Sequence, residues 1–256
     1  MLGFTAGLFI SVMTAPVGVS GAVFLLPVQV SVLGVPSPAV TPTNLLYNVV
    51  AGPGALLRHC RSGRLRSPMT RLLLVGTLPG VVIGAIIRVF AVPGATVFRF
   101  IIAALLLPLG TWLFARTLRP RRSSQGSARR PSRRATGSLA LAVGAVGGIY
   151  GIGGGSLLGP ILVGRGMPVA EVAPAALAST FLTSIVGTGT YALLSLTAEG
   201  AIAPDWYLGI SCGLGGLAGG YLGAHLQPRL PEDFLRLLLS ALAIGVGTLY
   251  AIQTIT

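Results

Sequence analysis

The sequence contains no lysine, and charged residues of any kind make up only 9% of its 256 positions. An ordinary soluble domain is about 25% charged, so this chain lacks the polar surface that a water-soluble protein needs. The missing lysine excludes a phosphate-loop nucleotide site, which requires that residue. Two histidines and five acidic residues form no cluster typical of a metal centre or an acid–base pair. We therefore predict a protein that is not an enzyme and carries no cofactor or metal.

Cysteine is almost as scarce, because only Cys60 and Cys212 are present and their spacing fits neither a disulfide framework nor a metal site. All eighteen basic residues are arginine, which gives a net charge of +13. In a soluble protein this charge would suggest nucleic-acid binding. Here most arginines fall in two loops, so membrane topology explains them better and no nucleic-acid partner is expected.

Hydrophobic residues, by contrast, make up 53% of the chain and form long continuous runs. Continuous runs favour membrane-spanning helices over a membrane barrel, whose strands alternate in hydrophobicity. We predict an all-α integral membrane protein in the lipid bilayer, with about eight transmembrane segments and a range of about seven to ten. The apolar segments cover approximately residues 3–33, 38–57, 70–90, 96–115, 138–165, 169–195, 206–226 and 234–252.

The two halves of the chain share landmarks in the same order, which predicts an internal duplication. Gly18 precedes Pro27 by nine residues, and Gly151 precedes Pro160 by the same distance. Further pairs follow in order: Val35-Pro36 with Met167-Pro168, Pro42 with Pro174, Gly63 with Gly200, Gly84-Ala85 with Gly223-Ala224, Arg99 with Arg236, and Gly110-Thr111 with Gly247-Thr248. Such duplication is typical of secondary transporters.

One polar segment separates the halves. We predict a first transmembrane repeat at 1–115, an Arg-rich linker at 116–137 and a second repeat at 138–256. The linker and the basic loop after residue 57 are predicted to be cytoplasmic by the positive-inside rule, in a multi-pass membrane protein. The second-half counterpart of that basic loop, Thr197–Asp205, has no arginine. This difference favours inverted repeats, which require 3–33 and 138–165 to be broken or re-entrant.

A glycine cluster, Gly151-Ile152-Gly153-Gly154-Gly155-Ser156, interrupts the fifth apolar segment. Glycine inside a helix costs about 1 kcal/mol relative to alanine, so the cluster predicts a helix break. A break at membrane depth exposes backbone groups and positive helix ends, which suit an anion. The alternative is that small residues merely allow close helix packing. The first-half partner is Gly18-Val19-Ser20-Gly21.

Polar residues follow each of the two interrupted segments. Asn44 and Asn48 are four residues apart and share a helix face, which favours a substrate path. The stripe formed by Thr180, Thr183, Ser184, Thr188 and Tyr191 either joins helices as hydrogen-bonding glue or lines that path. We expect Arg88 and Arg99, which bracket a short outward turn, to extend towards the membrane interface.

The chain resembles the sulfite exporter TauE/SafE family, also called the toluene-sulfonate uptake permease family. The resemblance rests on the two glycine motifs with their following prolines, the Pro168–Pro174 turn, Ala178-Ser179-Thr180, Thr43-Asn44 and the turn at Gly63. It implies seven to nine spans, an internal duplication and transport of sulfur-containing anions such as sulfite or sulfonates across the inner (plasma) membrane. The chain departs from the family pattern in its poorer first glycine motif and in Ala176, which stands at the position equivalent to Asn44.

We therefore expect a secondary transporter that moves a small anion by alternating access. The alternatives are a non-transporting membrane scaffold or assembly factor, and the membrane subunit of an ATP-driven transporter. A proton or sodium ion as coupling partner and a homo-oligomeric state remain open. The predicted substrate-binding residues are Gly18, Ser20, Gly21, Asn44, Asn48, Gly151, Gly153, Gly154, Gly155, Ser156, Ser179, Thr180 and Thr183.

Overall fold

The computed structural model of the chain describes residues 1–61, 68–91, 95–118, 133–165, 167–197 and 202–255. Every regular element in these ranges is helical, which confirms the predicted all-α class. The helices are α1 (Leu2–Thr14), α2 (Ala22–Ser31), α3 (Ser37–Arg61), α4 (Pro68–Phe90), α5 (Ala95–Leu118), α6 (Arg133–Tyr150), α7 (Gly154–Gly164), α8 (Val169–Leu194), α9 (Trp206–Leu226) and α10 (Glu232–Ile255).

Three of the described helices are long and apolar enough to cross a membrane by length and composition alone. They are Pro68–Phe90, Val169–Leu194 and Asp233–Gln253. The first and fifth apolar segments of the sequence are each divided into two shorter helices. The central part of the linker, 119–132, lies outside the described residues, so the predicted domain boundaries stay a prediction.

The distribution of side chains is that of a protein surrounded by lipid. Large apolar residues such as Val75, Leu193 and Leu214 are exposed on the outer faces of their helices. Polar residues such as Thr43 and Ser184 are fully buried in the interior. Since the bilayer offers no hydrogen-bond partners, polar groups inside it turn towards the centre of the bundle.

Helix directions can be read from the contacts of their small residues. Leu46 lies against Gly209, Val50 against Gly213 and Gly54 against Leu217, so α3 and α9 run parallel. α1 also runs parallel to α9, because Leu8 lies against Gly219 and Val12 against Gly223. Hence α1 and α3 point in the same direction.

Helix α2 returns in the opposite direction. Its N-terminal end lies beside the middle of α3, where the Nδ2 of Asn44 donates a hydrogen bond of 2.9 Å to the carbonyl of Ala22. Its C-terminal end at Ser31 is joined to the start of α3 by a short connection ending at Ser37. Residues 2–31 therefore form a helical hairpin, which we call the first hairpin.

Residues 133–164 form a second hairpin of the same kind. α6 runs parallel to α4, because Gly144 lies against Thr77 and Gly148 against Val81. α4 in turn runs parallel to α8, since Thr77 bonds Ser179 and Val81 lies against Gly187. α7 lies antiparallel to α8, because Gly155 contacts Thr180 and Ala176 near its start and a short connection joins Gly164 to Val169.

Candidate functional site

The first hairpin turns at residues 15–21, where the sequence cannot continue as a helix. Pro16 lies in a short 3-10 turn, and Gly18 then adopts a left-handed conformation with a φ of 75°. A side chain is strained in that conformation, and at Gly18 it would also meet Ala173 of α8. Gly21 precedes α2 and lies against the Tyr47 hydroxyl. The predicted interruption between Gly18 and Gly21 is therefore present.

The second hairpin turns between Tyr150 and Gly154. Gly151 and Gly153 both have positive φ angles, 72° and 75°, which explains why two glycines are needed to reverse the chain. Gly155 follows in the first turn of α7, where its bare backbone lies directly on the carbonyl of Ala176 in α8. The two interpretations of the glycine cluster, a helix break and close helix packing, are therefore both correct. Gly151 and Gly153 break the helix, and Gly155 allows close packing of α7 on α8.

A cavity of about 40 Å³ lies beside the turn of the first hairpin. One water molecule needs roughly 10–15 Å³ of such space, so the cavity has room for a few waters or for one small solute. Residues of the hairpin turn and of α1, α3, α8 and α9 line it. The polar residues that line it are Ser11, Thr14, Ser20, Tyr47, Asn48 and Thr180.

Some of the residues that line the cavity carry buried hydrogen-bonding groups with no partner among the described residues. Ser20 donates to Oδ1 of Asn48, which leaves the Nδ2 group of Asn48 without a partner, and the Thr14 hydroxyl also lacks one. The hydroxyls of Ser11 and Tyr47 lie 2.6 Å apart and share one hydrogen bond, so one hydrogen of this pair remains available. Buried donors without partners are costly unless a ligand or water satisfies them.

None of the side chains that line the cavity carries a carboxylate or a basic group. A site of neutral donors can bind an anion without the strong attraction of a buried arginine, and weak binding is what allows a transported solute to leave again. A carboxylate in the same place would repel an anion at short range. The chemistry of the cavity therefore suits a small anion.

The turn of the second hairpin is held by a separate network of hydroxyl groups. The Thr183 hydroxyl accepts a 3.0 Å hydrogen bond from the Gly154 amide and donates a 2.6 Å bond to the Ser179 carbonyl. The Ser179 hydroxyl lies 2.9 Å from that of Thr77 in α4. Ser156 donates a 2.6 Å bond to the Ile152 carbonyl. These residues use their hydroxyls to fix the hairpin between α4 and α8.

The site residues predicted from sequence fall into two groups: those that line the cavity and those that form or support the hairpin turns. Four of them line the cavity: Ser20, Gly21, Asn48 and Thr180. The others form the turns and their supports: Gly18, Asn44, Gly151, Gly153, Gly154, Gly155, Ser156, Ser179 and Thr183. Thr180 connects the two regions, because it lines the cavity and lies against Gly153 with its hydroxyl 3.4 Å from that of Ser156.

Sequence reasoning missed Ser11, Thr14 and Phe181 as cavity residues. A signal for the first two was present, since they lie three residues apart in an apolar segment and so share one face of α1. The expectation that Arg88 extends to the interface is wrong, because its side chain is only 7% exposed. The side chain of Arg99 lies outside the described residues.

Two similar proteins of known sequence are described as probable membrane transporters. The chain is 25% identical over 257 residues to the probable membrane transporter protein YjnA of Bacillus subtilis (strain 168), an alignment that covers 94% of this chain and 95% of the relative. It is 27% identical over 234 residues to a probable membrane transporter protein of Xylella fastidiosa (strain Temecula1 / ATCC 700964), covering 90% and 82% of the two chains. No solved structure matches the chain.

Residues 3–250, nearly the whole chain, match the profile of the family described as Sulfite exporter TauE/SafE. The match includes both hairpins and every helix that lines the cavity. Together with the apolar helices, the buried polar interior and relatives named as membrane transporters, it establishes a multi-pass membrane protein of a transporter family. The chain belongs to the Sulfite exporter TauE/SafE family.

Proposed function

We propose that this protein is a secondary transporter for a small anion, with sulfite the best candidate, that works by alternating access. The observation that carries the proposal is the cavity beside the first hairpin, where Asn48, Thr14 and the Ser11–Tyr47 pair present unsatisfied donors. Sulfite is a compact oxyanion whose oxygens accept hydrogen bonds, and its size suits a cavity of about 40 Å³. The family to which the chain belongs is described by the same substrate. A small sulfonate is the alternative anion of this class.

Inverted repeats are the second part of the proposal, and helix directions support them. Equivalent helices of the two halves run in opposite directions. α3 and α8 are antiparallel, because Leu45 lies against Gly187 and Gly52 against Phe181. α5 and α10 are antiparallel too, since Gly110 lies against Ile244 and Gly247 against Leu107. Each half then consists of one hairpin and three crossing helices, eight membrane segments in all, and three crossings invert the second half.

The packing of the hairpins supports the same symmetry. The first hairpin packs against α9, the fourth helix of the second half, and the second hairpin packs against α4, its first-half equivalent. Asn48 and Thr180 lie six residues after Pro42 and Pro174, respectively, and both line the cavity. Equivalent positions of α3 and α8 thus both contribute to the cavity, which supports a substrate site between the two halves, as is typical of inverted-repeat transporters.

The cavity is present at one hairpin, and the equivalent region at the other is filled by the hydroxyl network of Thr183, Ser179 and Thr77. This asymmetry is expected of one state in an alternating-access cycle. When the halves rock against each other, the network would open and the cavity would close.

We propose that the protein lies in the inner membrane with its basic loop and its Arg-rich linker on the cytoplasmic side. That orientation satisfies the positive-inside rule.

Uptake of radiolabelled sulfite into proteoliposomes that contain only this chain tests the proposal. We expect saturable uptake above the level of protein-free liposomes, without ATP and with competition by unlabelled sulfite. Transport without ATP would also exclude a membrane subunit that depends on a partner ATPase. A correctly inserted protein that moves neither sulfite nor a small sulfonate such as methanesulfonate would favour the scaffold instead.

A further inference from the structure

Arg88 is a buried basic residue in the last turn of α4, one of the helices that are long and apolar enough to cross a membrane. Its side chain is only 7% exposed, near the C-terminal end of α4. Ionisable groups are expensive inside a membrane, and those that are present usually lie on substrate or ion paths. Arg71, near the other end of the same helix, is exposed. The burial of Arg88 is therefore a property of its position and not of arginines on α4 in general.

The surroundings of Arg88 place it beside the turn of the second hairpin. Tyr150 and Tyr191 both lie within electrostatic range of its guanidinium. Tyr150 is the last residue of α6, immediately before Gly151. Tyr191 of α8 donates a 2.8 Å hydrogen bond to the carbonyl of Gly148 in α6. Arg88 thus lies where α4, α6 and α8 meet.

Two buried hydroxyls on α8 lack a hydrogen-bond partner. Ser184 is 0% exposed and Thr188 9% exposed, and the structure records no partner for either hydroxyl. Neighbouring hydroxyls on α8 behave differently, because Thr183 and Thr190 donate to the carbonyl four residues earlier. Donation to the carbonyl four residues earlier is the usual way for a hydroxyl on a membrane helix to find a hydrogen-bond partner.

These two hydroxyls lie between the cavity and Arg88. Thr180, Ser184 and Thr188 are spaced by four residues and share one face of α8, and Tyr191 continues that face. This face of α8 is turned towards the second hairpin. Ser184 lies against Gly153, and the Tyr191 hydroxyl donates a hydrogen bond to the carbonyl of Gly148. A row of hydroxyls therefore leads from Thr180, which lines the cavity, to the neighbourhood of Arg88.

We propose that Arg88, Ser184 and Thr188 form a second anion-binding subsite, closed in this structure, which the substrate occupies when the transporter opens on the side opposite the cavity. The subsite would take the same small oxyanion as the cavity, with Arg88 supplying charge and the two hydroxyls supplying hydrogen bonds. This inference rests on the proposed transport function. It gives a role to hydroxyls that are otherwise buried at a cost.

The concentration dependence of sulfite uptake in proteoliposomes separates this subsite from a structural role of Arg88. We expect Arg88→Gln to raise KM about tenfold or more, which corresponds to losing one charge-assisted hydrogen bond. Arg88→Lys keeps the charge and should remain within about threefold of the unchanged protein. Arg71→Gln is the matched control, because it removes the same charge from the exposed end of the same helix, and its KM should not change.

The double variant Ser184→Ala with Thr188→Val provides an independent readout. Removing hydroxyls that have no partner should leave the unfolding temperature in detergent unchanged or higher, while KM rises about threefold or more. An unchanged KM in both this variant and Arg88→Gln, with normal uptake by the unchanged protein, would overturn the subsite and leave the transport function intact. An absence of uptake by the unchanged protein would overturn the transport function, and the subsite with it.

Discussion

Replacing Asn48 with aspartate is expected to reduce sulfite uptake by at least about 100-fold while the protein remains folded. The change is isosteric, and one carboxylate oxygen can still accept the hydrogen bond of Ser20. The other oxygen replaces the Nδ2 group, which has no partner in the described structure and belongs to a residue that lines the cavity. The anion then loses a donor, worth about 1.5–3 kcal/mol for a charged partner, and meets a like charge, which costs about 4 kcal/mol at 4 Å and an effective dielectric of 20.

Asn48→Ser is the matched control for this prediction. Serine retains a hydroxyl donor in the cavity, so a partial loss of uptake is expected, much smaller than that of the aspartate variant. Uptake should be measured in proteoliposomes with equal amounts of inserted protein, and thermal unfolding in detergent should confirm that both variants fold. Normal uptake by a folded Asn48→Asp protein would show that the anion does not bind in this cavity.

Gly155→Ala is expected to reduce transport strongly by displacing the second hairpin. An added methyl group would collide with the carbonyl oxygen of Ala176 and lie 2.7 Å from the Thr180 hydroxyl. Backbone atoms cannot move aside as a flexible side chain can, so α7 has to shift away from α8. Overpacking of this kind costs about 1–3 kcal/mol. We predict a lower unfolding temperature and at least about a tenfold loss of sulfite uptake.

Gly189→Ala, in α8, controls for the general effect of adding a methyl group to a membrane helix. Beyond the adjacent backbone of α8, no atom of the described structure lies within 4 Å of the position that its Cβ would occupy. Alanine also favours a helix over glycine by about 1 kcal/mol. This variant should retain both its uptake and its stability. If Gly155→Ala and Gly189→Ala behave alike, close packing at the second hairpin is not required for transport.

The turns of both hairpins could be predicted from sequence because glycine has a direct effect on the backbone. Clustered glycines in an apolar segment destabilise a helix whatever surrounds it, and both turns lie at the predicted residues. The helical class followed from hydropathy for the same reason, since it depends on local composition. The hairpin geometry itself required contacts between distant segments, such as Leu8 with Gly219 and Val81 with Gly148.

The division of roles between Asn44 and Asn48 could not be predicted. Both lie on one face of α3, four residues apart, and both are buried. Asn44 bonds the backbone of Ala22 at the start of α2, while Asn48 faces the cavity. The difference arises because the first hairpin covers one asparagine and leaves space beside the other. The tertiary packing of α1, α8 and α9 against α3 determines that space.

The burial of Arg88 also depends on tertiary packing and could not be predicted from the sequence. A basic residue two positions before the end of an apolar helix usually reaches the interface. Here α6 and α8 cover that end of α4, with Tyr150 and Tyr191 near the guanidinium. The sequence of α4 alone contains no information about these two neighbours.

The position of a bound anion is the most direct test of the cavity as a substrate site. Selenite has the shape and charge of sulfite, and its selenium atom can be located by anomalous scattering from crystals of the detergent-solubilised protein. We predict an anomalous peak in the cavity, with a selenite oxygen within hydrogen-bonding distance of Nδ2 of Asn48, and loss of that peak in Asn48→Asp. Selenite bound elsewhere in the protein, with none in the cavity, would contradict the cavity as the substrate site.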